Sequence, residues 1–279
     1  MTTSDSVAAG MSRDVGDSRG SSVIVTAISV LRCFTVEQPL QGVTEIAVQV
    51  GLHKSSVSRI LATLEKEKLV ERDEPSRKFR LGLGLLSVAG PLLADLDVRR
   101  LGLPALRDLT ERTGETSALV VWNDGEAVTV EQVASPHQIK HTTPLGTRYG
   151  DAESASVQVF LAEMPPDHVR GLLRAGHPQL RHSDVTTIEQ YVRELPGTTH
   201  LGYAVNYGRT LPDEVGIASP VHDHRGDLVA AVLLAAPTYR VAADMVAGLG
   251  VATAETAADI SQRMGGHSRG RGARGGGGV

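Results

Sequence analysis

Apolar positions recur with a helical period from Ser22 to Val36, where Val23, Ala27, Val30, Leu31 and Phe34 fall on one face. A shorter helix is predicted at Thr44–Val50, with Thr44 as its N-cap and Ile46, Ala47 and Val50 turned inward. Gly51 breaks that pattern, and the period resumes over Lys54–Lys68 with Val57, Ile60, Leu61 and Leu64 on one side. Two short runs, Leu69–Arg72 and Phe79–Leu81, flank the polar turn Asp73–Lys78 and predict a hairpin. Across residues 21–82 the order is therefore helix, helix, turn, helix, hairpin: a winged helix-turn-helix.

Two further helices, Leu83–Ala94 with a kink expected near Pro91 and Leu101–Arg112 with Leu103, Leu106 and Leu109 inward, are predicted to form a linker over 83–112. From residue 113 the signals become those of strands and turns. Ser117–Trp122 and Ala127–Val133 form a hairpin around Asn123-Asp124-Gly125, and Ile139–Thr143 reads as another strand. Short helices are expected at Ser154–Ala162, His168–Leu173 and Thr187–Leu195. Strands follow at Tyr203–Tyr207, Gly216–Val221 and Leu228–Ala235, and Val241–Met264 closes the pattern as a helix. Residues 113–264 thus predict an α+β domain, an antiparallel sheet with helices on its flanks.

The ends of the chain lack any such period. Residues 1–20, rich in Ser, Gly and Asp, read as a disordered arm, and 265–279, with Arg269, Arg271 and Arg274 among glycines, as a low-complexity tail. A length of 279 residues fits about two domains, and 41% hydrophobic with 22% charged residues excludes a fibre or a wholly disordered chain. One cysteine, Cys33, excludes an internal disulfide and a cysteine-rich zinc site. No apolar run approaches the roughly 18–20 residues of a membrane span, and the polar N-terminus lacks a signal peptide's apolar segment, so a cytoplasmic protein with no membrane partner is expected. The net charge of −4 hides an asymmetry: residues 21–82 hold nine Lys/Arg against seven Asp/Glu, residues 83–265 hold 14 against 22. Only the first part is suited to meet a polyanion.

The most informative chemistry lies between Thr44 and Glu65. A helix-turn-helix needs a short first helix, a tight turn and a second helix whose first residues reach base edges. Ala47 is small where the helices approach, and Leu52 is placed to plug the space between them. Lys54, Ser55, Ser56, Ser58 and Arg59 then supply donors for phosphates and base acceptors, with no carboxylate until Glu65. Arg59 suits a bidentate guanine contact, while Arg77, Lys78 and Arg80 at the wing are placed to grip the DNA backbone. Thr44 belongs to the same candidate DNA surface.

Residues 21–264 resemble the IclR family of bacterial transcriptional regulators. The resemblance rests on Val43-Thr44-Glu45-Ile46-Ala47, Val57-Ser58-Arg59-Ile60-Leu61-Ala62-Thr63-Leu64 and Phe79-Arg80-Leu81-Gly82. Later segments that carry it are Leu109–Thr116, Gly202-Tyr203-Ala204-Val205 and Gly216-Ile217-Ala218-Ser219-Pro220-Val221. It implies a winged-helix domain, a linker helix and a C-terminal effector-binding domain with a sensor-like (GAF/PAS-like) sheet. It also implies homodimers, pairing into homotetramers, on double-stranded operator DNA, with a small organic effector as inducer.

Family members often open the effector-domain helix with a Gly-Lys stretch; here Val157 and Gln158 stand there. Leu233 and Ala235 match positions where hydroxyl side chains help hold small oxoacids. With fewer hydrogen-bonding groups, desolvation of a tiny acid would go uncompensated. The expectation is therefore a larger, fairly apolar or aromatic acid, lined by Ala155, Ser156, Gly216, Leu233 and Ala235, with His141, Asn206 and Tyr207 as polar handles.

His222 and His224 share one strand face if the strand continues, but with Asp223 between them a solvated turn is the more economical reading than a metal site. Gly82-Leu83-Gly84 lacks the third glycine of a dinucleotide fingerprint, and no nucleophile elbow appears. No cofactor, metal or catalytic residue is expected. The reading is a ligand-responsive regulator on an inverted repeat; the alternative is a small-molecule-binding protein or enzyme with a vestigial DNA-binding module.

Overall fold

The computed structural model describes residues 17–35, 38–95, 97–181 and 184–266. The chain divides into two compact units, Met1–Asp95 and Leu96–Val279. Each is built around its own core.

In the first unit, α1 (Asp17–Arg32), α2 (Val43–Val50) and α3 (Lys54–Lys66) pack on a two-stranded antiparallel wing, β1 (Val70–Arg72) and β2 (Phe79–Leu81). Val30, Phe34, Ile46, Val57, Leu61, Val70 and Phe79 share one core. The α1 helix begins at Asp17, inside the stretch read as a disordered arm; the rest of that arm lies outside the described residues, as does Val36. Gly51, at φ +68°, ends α2 in the left-handed region, and the Leu52 N–H returns to the Ala47 carbonyl at 3.0 Å. That turn is what re-aims the chain into α3. Leu52 is 37% exposed and does not plug the space between the helices; Ile46, Ala47 and Val57 fill it instead. Gln41 is buried, donating from Nε2 to the Cys33 carbonyl at 2.8 Å, and its backbone bridges Phe79 beside the wing. The unit closes with α4 (Gly84–Asp95), which contains Pro91.

The second unit has three layers. Its sheet is wholly antiparallel with strand order β5-β4-β3-β8-β7-β6: β3 (Thr116–Asn123), β4 (Glu126–Val133), β5 (Arg148–Tyr149), β6 (Ala204–Tyr207), β7 (Glu214–His222) and β8 (Leu228–Pro237). The β3–β4 hairpin turns on Asp124 and Gly125, both at positive φ, as a two-residue turn between twisted strands requires. Alternation along the strands then sorts the side chains. Ala118, Val120, Ala218, Ala231 and Leu233 face α6 (Ala155–Ala162), α7 (Pro166–Ala175) and α8 (Val185–Glu194). Leu119, Val215, Ile217, Val232 and Leu234 face α5 (Asp97–Thr113) and α10 (Val246–Arg263).

Several predicted elements are corrected here. The second predicted linker helix belongs to the C-terminal core: α5 runs from Asp97, and Leu106 and Leu109 are fully buried with Leu119 and Ile260. Ile139–Thr143 is not a strand. Its Ile139 is exposed and the His141 carbonyl is taken by the Thr116 hydroxyl, so no ladder forms, and Arg148–Tyr149 pairs with β4 instead. A helix absent from the sequence reading, α9 (Pro196–Leu201), follows α8 directly because proline is tolerated in a first helical turn. The last helix starts at Val246, after two short 3-10 turns, later than Val241. Among the described residues no helix is long and apolar enough to cross a membrane.

Candidate DNA-reading helix and effector cavity

Burial of Val57, Leu61 and Leu64 fixes the rotation of α3. Because neighbours on a helix face are three and four residues apart, the opposite side presents Ser55 and Arg59, with Ser58 on its flank; Lys54, the first residue of the helix, is exposed as well. Ser56 is half-buried at the margin of an apolar groove that α3 forms with Val23 and Ala27 of α1, and Arg59 borders the same groove. Lys54 and Arg59 enter no ion pair among the described residues. A helix face with unpaired cations and free hydroxyls is what a groove-reading surface requires.

The wing cations are differently placed. Lys78 Nζ meets Glu45 at 2.7 Å, Arg80 Nε meets Glu71 at 2.6 Å, and Arg77 lies 3.8 Å from Glu74. The Lys78 hydrogen bond, helped by the Gly42 N–H, holds the Glu45 carboxyl below its ordinary range. Thr44 is exposed but is not the N-cap of α2. That place is taken by Gly42, whose N–H donates to Glu45 Oε2 at 2.8 Å. Glu45 thus serves the helix start and the wing at once, a role that the sequence reading missed because the partners are far apart in the chain.

A cavity of about 280 Å³ opens in the second unit between the start of α6 and the end of the sheet formed by β6, β7 and β8. Gly216 lies on its floor beneath Ala155, where a Cβ would sit 3.7 Å from the Ala155 methyl. Ala155, Ser156, Asn206, Gly216 and Leu233 line the cavity together. Ser156 is 1% exposed and its hydroxyl finds no partner among the described residues. Asn206 is held by the Thr210 hydroxyl and by the Arg209 N–H.

Three expected members are not on the wall. Tyr207 directly follows Asn206, so strand alternation turns it to the other side, where its hydroxyl donates to the Val241 carbonyl at 2.8 Å. Ala235 shares the face of Leu233 but is buried beyond it, paired with Thr116 and Gly216. His141 stands behind the wall, its Nε2 on the Asp213 carbonyl at 3.0 Å and its Nδ1 4.0 Å from Glu214.

Other wall residues were not anticipated: Arg148, Tyr149, Asp151 and Glu214. Arg148 is committed to Glu126. Burial pushes the Tyr149 hydroxyl well above its ordinary range, and the charge of Glu214 adds to the effect. Burial likewise raises the Glu214 carboxyl, Asp213 adds to this, and His141 opposes it. The signal for Glu214 was present. It lies two residues before Gly216, on the same strand face, but the strand was started at Gly216.

Elsewhere in this unit, His222 Nε2 meets Glu163 Oε1 at 2.9 Å, while His224 is exposed in the turn. No group of three metal-ligating side chains occurs among the described residues.

The helix-turn-helix domain of the IclR family matches residues 23–74, and the C-terminal domain of bacterial IclR transcriptional regulators matches 91–262. The chain is 25% identical over 248 residues to the HTH-type transcriptional repressor AllR of Escherichia coli (strain K12), covering 88% of this chain and 92% of AllR. A solved domain of an IclR-family transcriptional regulator is 52% identical and matches with a TM-score of 0.60 over 61% of this chain and 98% of its own. The structure of an IclR homolog from Microbacterium hydrocarbonoxydans complexed with 4-hydroxybenzoate shares the fold at 23% identity, with a TM-score of 0.69 over 87% of this chain and 98% of its own. The chain belongs to the IclR family of bacterial transcriptional regulators.

Proposed function

We propose that the protein binds an inverted-repeat operator as a homodimer or homotetramer, through α3, and that a small organic effector in the cavity beside α6 changes that binding. The observation that carries the reading is the exposed surface of α3, which presents Lys54, Ser55, Ser58 and Arg59 with both cations unpaired. Arg59 reads a base edge; Lys54 and the serines fix register on the phosphates. The chain acts in the cytoplasm, where its DNA is, and by binding rather than turnover. Selection from random duplexes with full-length protein is expected to return a two-fold symmetric site with half-sites about one helical turn apart, or a multiple of it. Recovery of unrelated sequences with no symmetry would overturn the proposal.

The pairing surface is α4 with the outer face of α1. Leu86, Val88 and Leu92 are 61–72% exposed along α4, and Ile24 and Val25 are similarly bare on α1. An isolated chain rarely leaves so much apolar surface in water. Leu86→Glu is expected to shift the protein toward monomer in sedimentation velocity and to weaken operator binding at nanomolar protein; unchanged mass would remove α4 from the interface.

For the wing, the existing ion pairs set the expectation. A phosphate must replace Glu45 at Lys78 and Glu71 at Arg80, so each contact gains little over the free state. Lys78→Ala should weaken binding only a few-fold and lower the salt slope by less than one ion. A loss above a hundred-fold on operator DNA would show that Lys78 leaves Glu45 and reads the site directly.

The effector meets two kinds of wall. Leu233, Ala155 and Gly216 accept an apolar body, while the first turn of α6 and the unpartnered Ser156 hydroxyl suit an acceptor oxygen. The known binding of 4-hydroxybenzoate by the Microbacterium homolog is consistent with a ring-sized ligand.

A further inference from the structure

The cavity's ionisable groups are not those expected for a simple acid. The one guanidinium on its wall, Arg148, is already tied to Glu126. Two carboxyl groups remain, Asp151 and Glu214. Asp151 accepts the Glu153 N–H at 2.8 Å and so has a partner at the α6 end. The Glu214 carboxylate accepts no hydrogen bond from the protein among the described residues; the His141 ring nitrogen lies 4.0 Å away. Its side chain is only 14% exposed, and what it faces is the cavity. A largely desolvated carboxylate without a protein donor gains from a ligand that brings one.

The positions of the two ends are set by strand geometry. Gly216 lies beneath the first residue of α6, and Glu214 is two residues along the same face of β7, hence about 7 Å away. One ring spans that interval.

We propose that the effector is an organic amine, with its ammonium on Glu214 and an acceptor oxygen at the start of α6 beside Ser156. This rests on the cavity being the effector site and names the class of compound that it takes. The proposal departs from the aromatic acid expected from the sequence: a carboxylate at the β7 end would face Glu214 with no free cation beside it, and like charges in a desolvated site repel.

The test is calorimetric titration of the full-length protein with three compounds of one shape, 4-hydroxybenzylamine, 4-hydroxybenzyl alcohol and 4-hydroxybenzoate. The amine is expected to bind at least tenfold more tightly than the benzoate, with the alcohol between them. Glu214→Gln should weaken the amine at least tenfold and leave the alcohol within threefold. Tighter binding of the benzoate, absence of amine binding, or an amine-to-alcohol ratio unchanged in Glu214→Gln overturns the proposal. Should that variant fail to fold, as judged by circular dichroism, the order of the three compounds on the wild-type chain decides alone. Gly216→Leu, which fills the cavity, separates this inference from the reading beneath it. Amine binding that survives the filled cavity removes the effector site itself; binding abolished there, but with the acid preferred in the wild type, removes only the amine.

Discussion

Arg59→Ala is expected to lower operator affinity tenfold to more than a hundredfold while changing affinity for random duplex far less. A bidentate arginine contact to guanine is worth about 1–3 kcal/mol of discrimination, and a two-fold symmetric complex loses it in both half-sites. Helix α3 has no means of compensation. Val57, Leu61 and Leu64 pin it from behind, so the helix cannot rotate to bring another cation to the same point. Nor does the loss disturb the fold, since Arg59 is exposed and makes no ion pair among the described residues. Fluorescence anisotropy on operator and random duplexes across a salt series reads both quantities. Equal losses on the two DNAs would assign Arg59 to a phosphate rather than a base.

The second large effect concerns stability. Leu106→Ala should destabilise the C-terminal unit by about 2–5 kcal/mol, the usual range for a leucine truncated in a closed core. Leu106 is fully buried on α5 among Leu109, Leu119 and Ile260, and the Leu106 carbonyl accepts a hydrogen bond from Ser117 at 2.8 Å. Trp122, the chain's one tryptophan, sits on β3 against Phe160 with ring centroids 5.3 Å apart, so its fluorescence reports this unit's unfolding without interference. An unfolding free energy lowered by less than 1 kcal/mol would return α5 to the role of a free connector.

That correction shows what periodicity can and cannot convey. The inward positions of α5 were read from their spacing, but a helical period says only that a face is covered, not by what. The helix-turn-helix was legible almost residue by residue, because its core positions and its turn glycine lie within a short stretch. Most strands of the larger sheet were legible for the same local reason. Ile139–Thr143 was misread because β-branched composition cannot supply a neighbouring strand, and here the backbone is drawn to Thr116 instead.

The cavity was half legible. Ala155, Ser156, Asn206, Gly216 and Leu233 were reached through the resemblance, and they share the wall. Tyr207 failed on strand parity, His141 on the missing strand, and Glu214 on a strand start placed two residues late. Likewise the pairing of Lys78 with Glu45 joins α2 to the wing across 33 positions, a separation at which no local signal exists.

The sole thiol of the chain has a practical use. Cys33 is 8% exposed, its Sγ donates to the Ser29 carbonyl, and burial pushes its ionisation upward. Alkylating dyes attack the thiolate, so slow labelling of the native thiol is expected in the folded protein. A reporter cysteine engineered at an exposed position should therefore be labelled selectively without first mutating the native one, which leaves distance measurements open on an otherwise unaltered sequence.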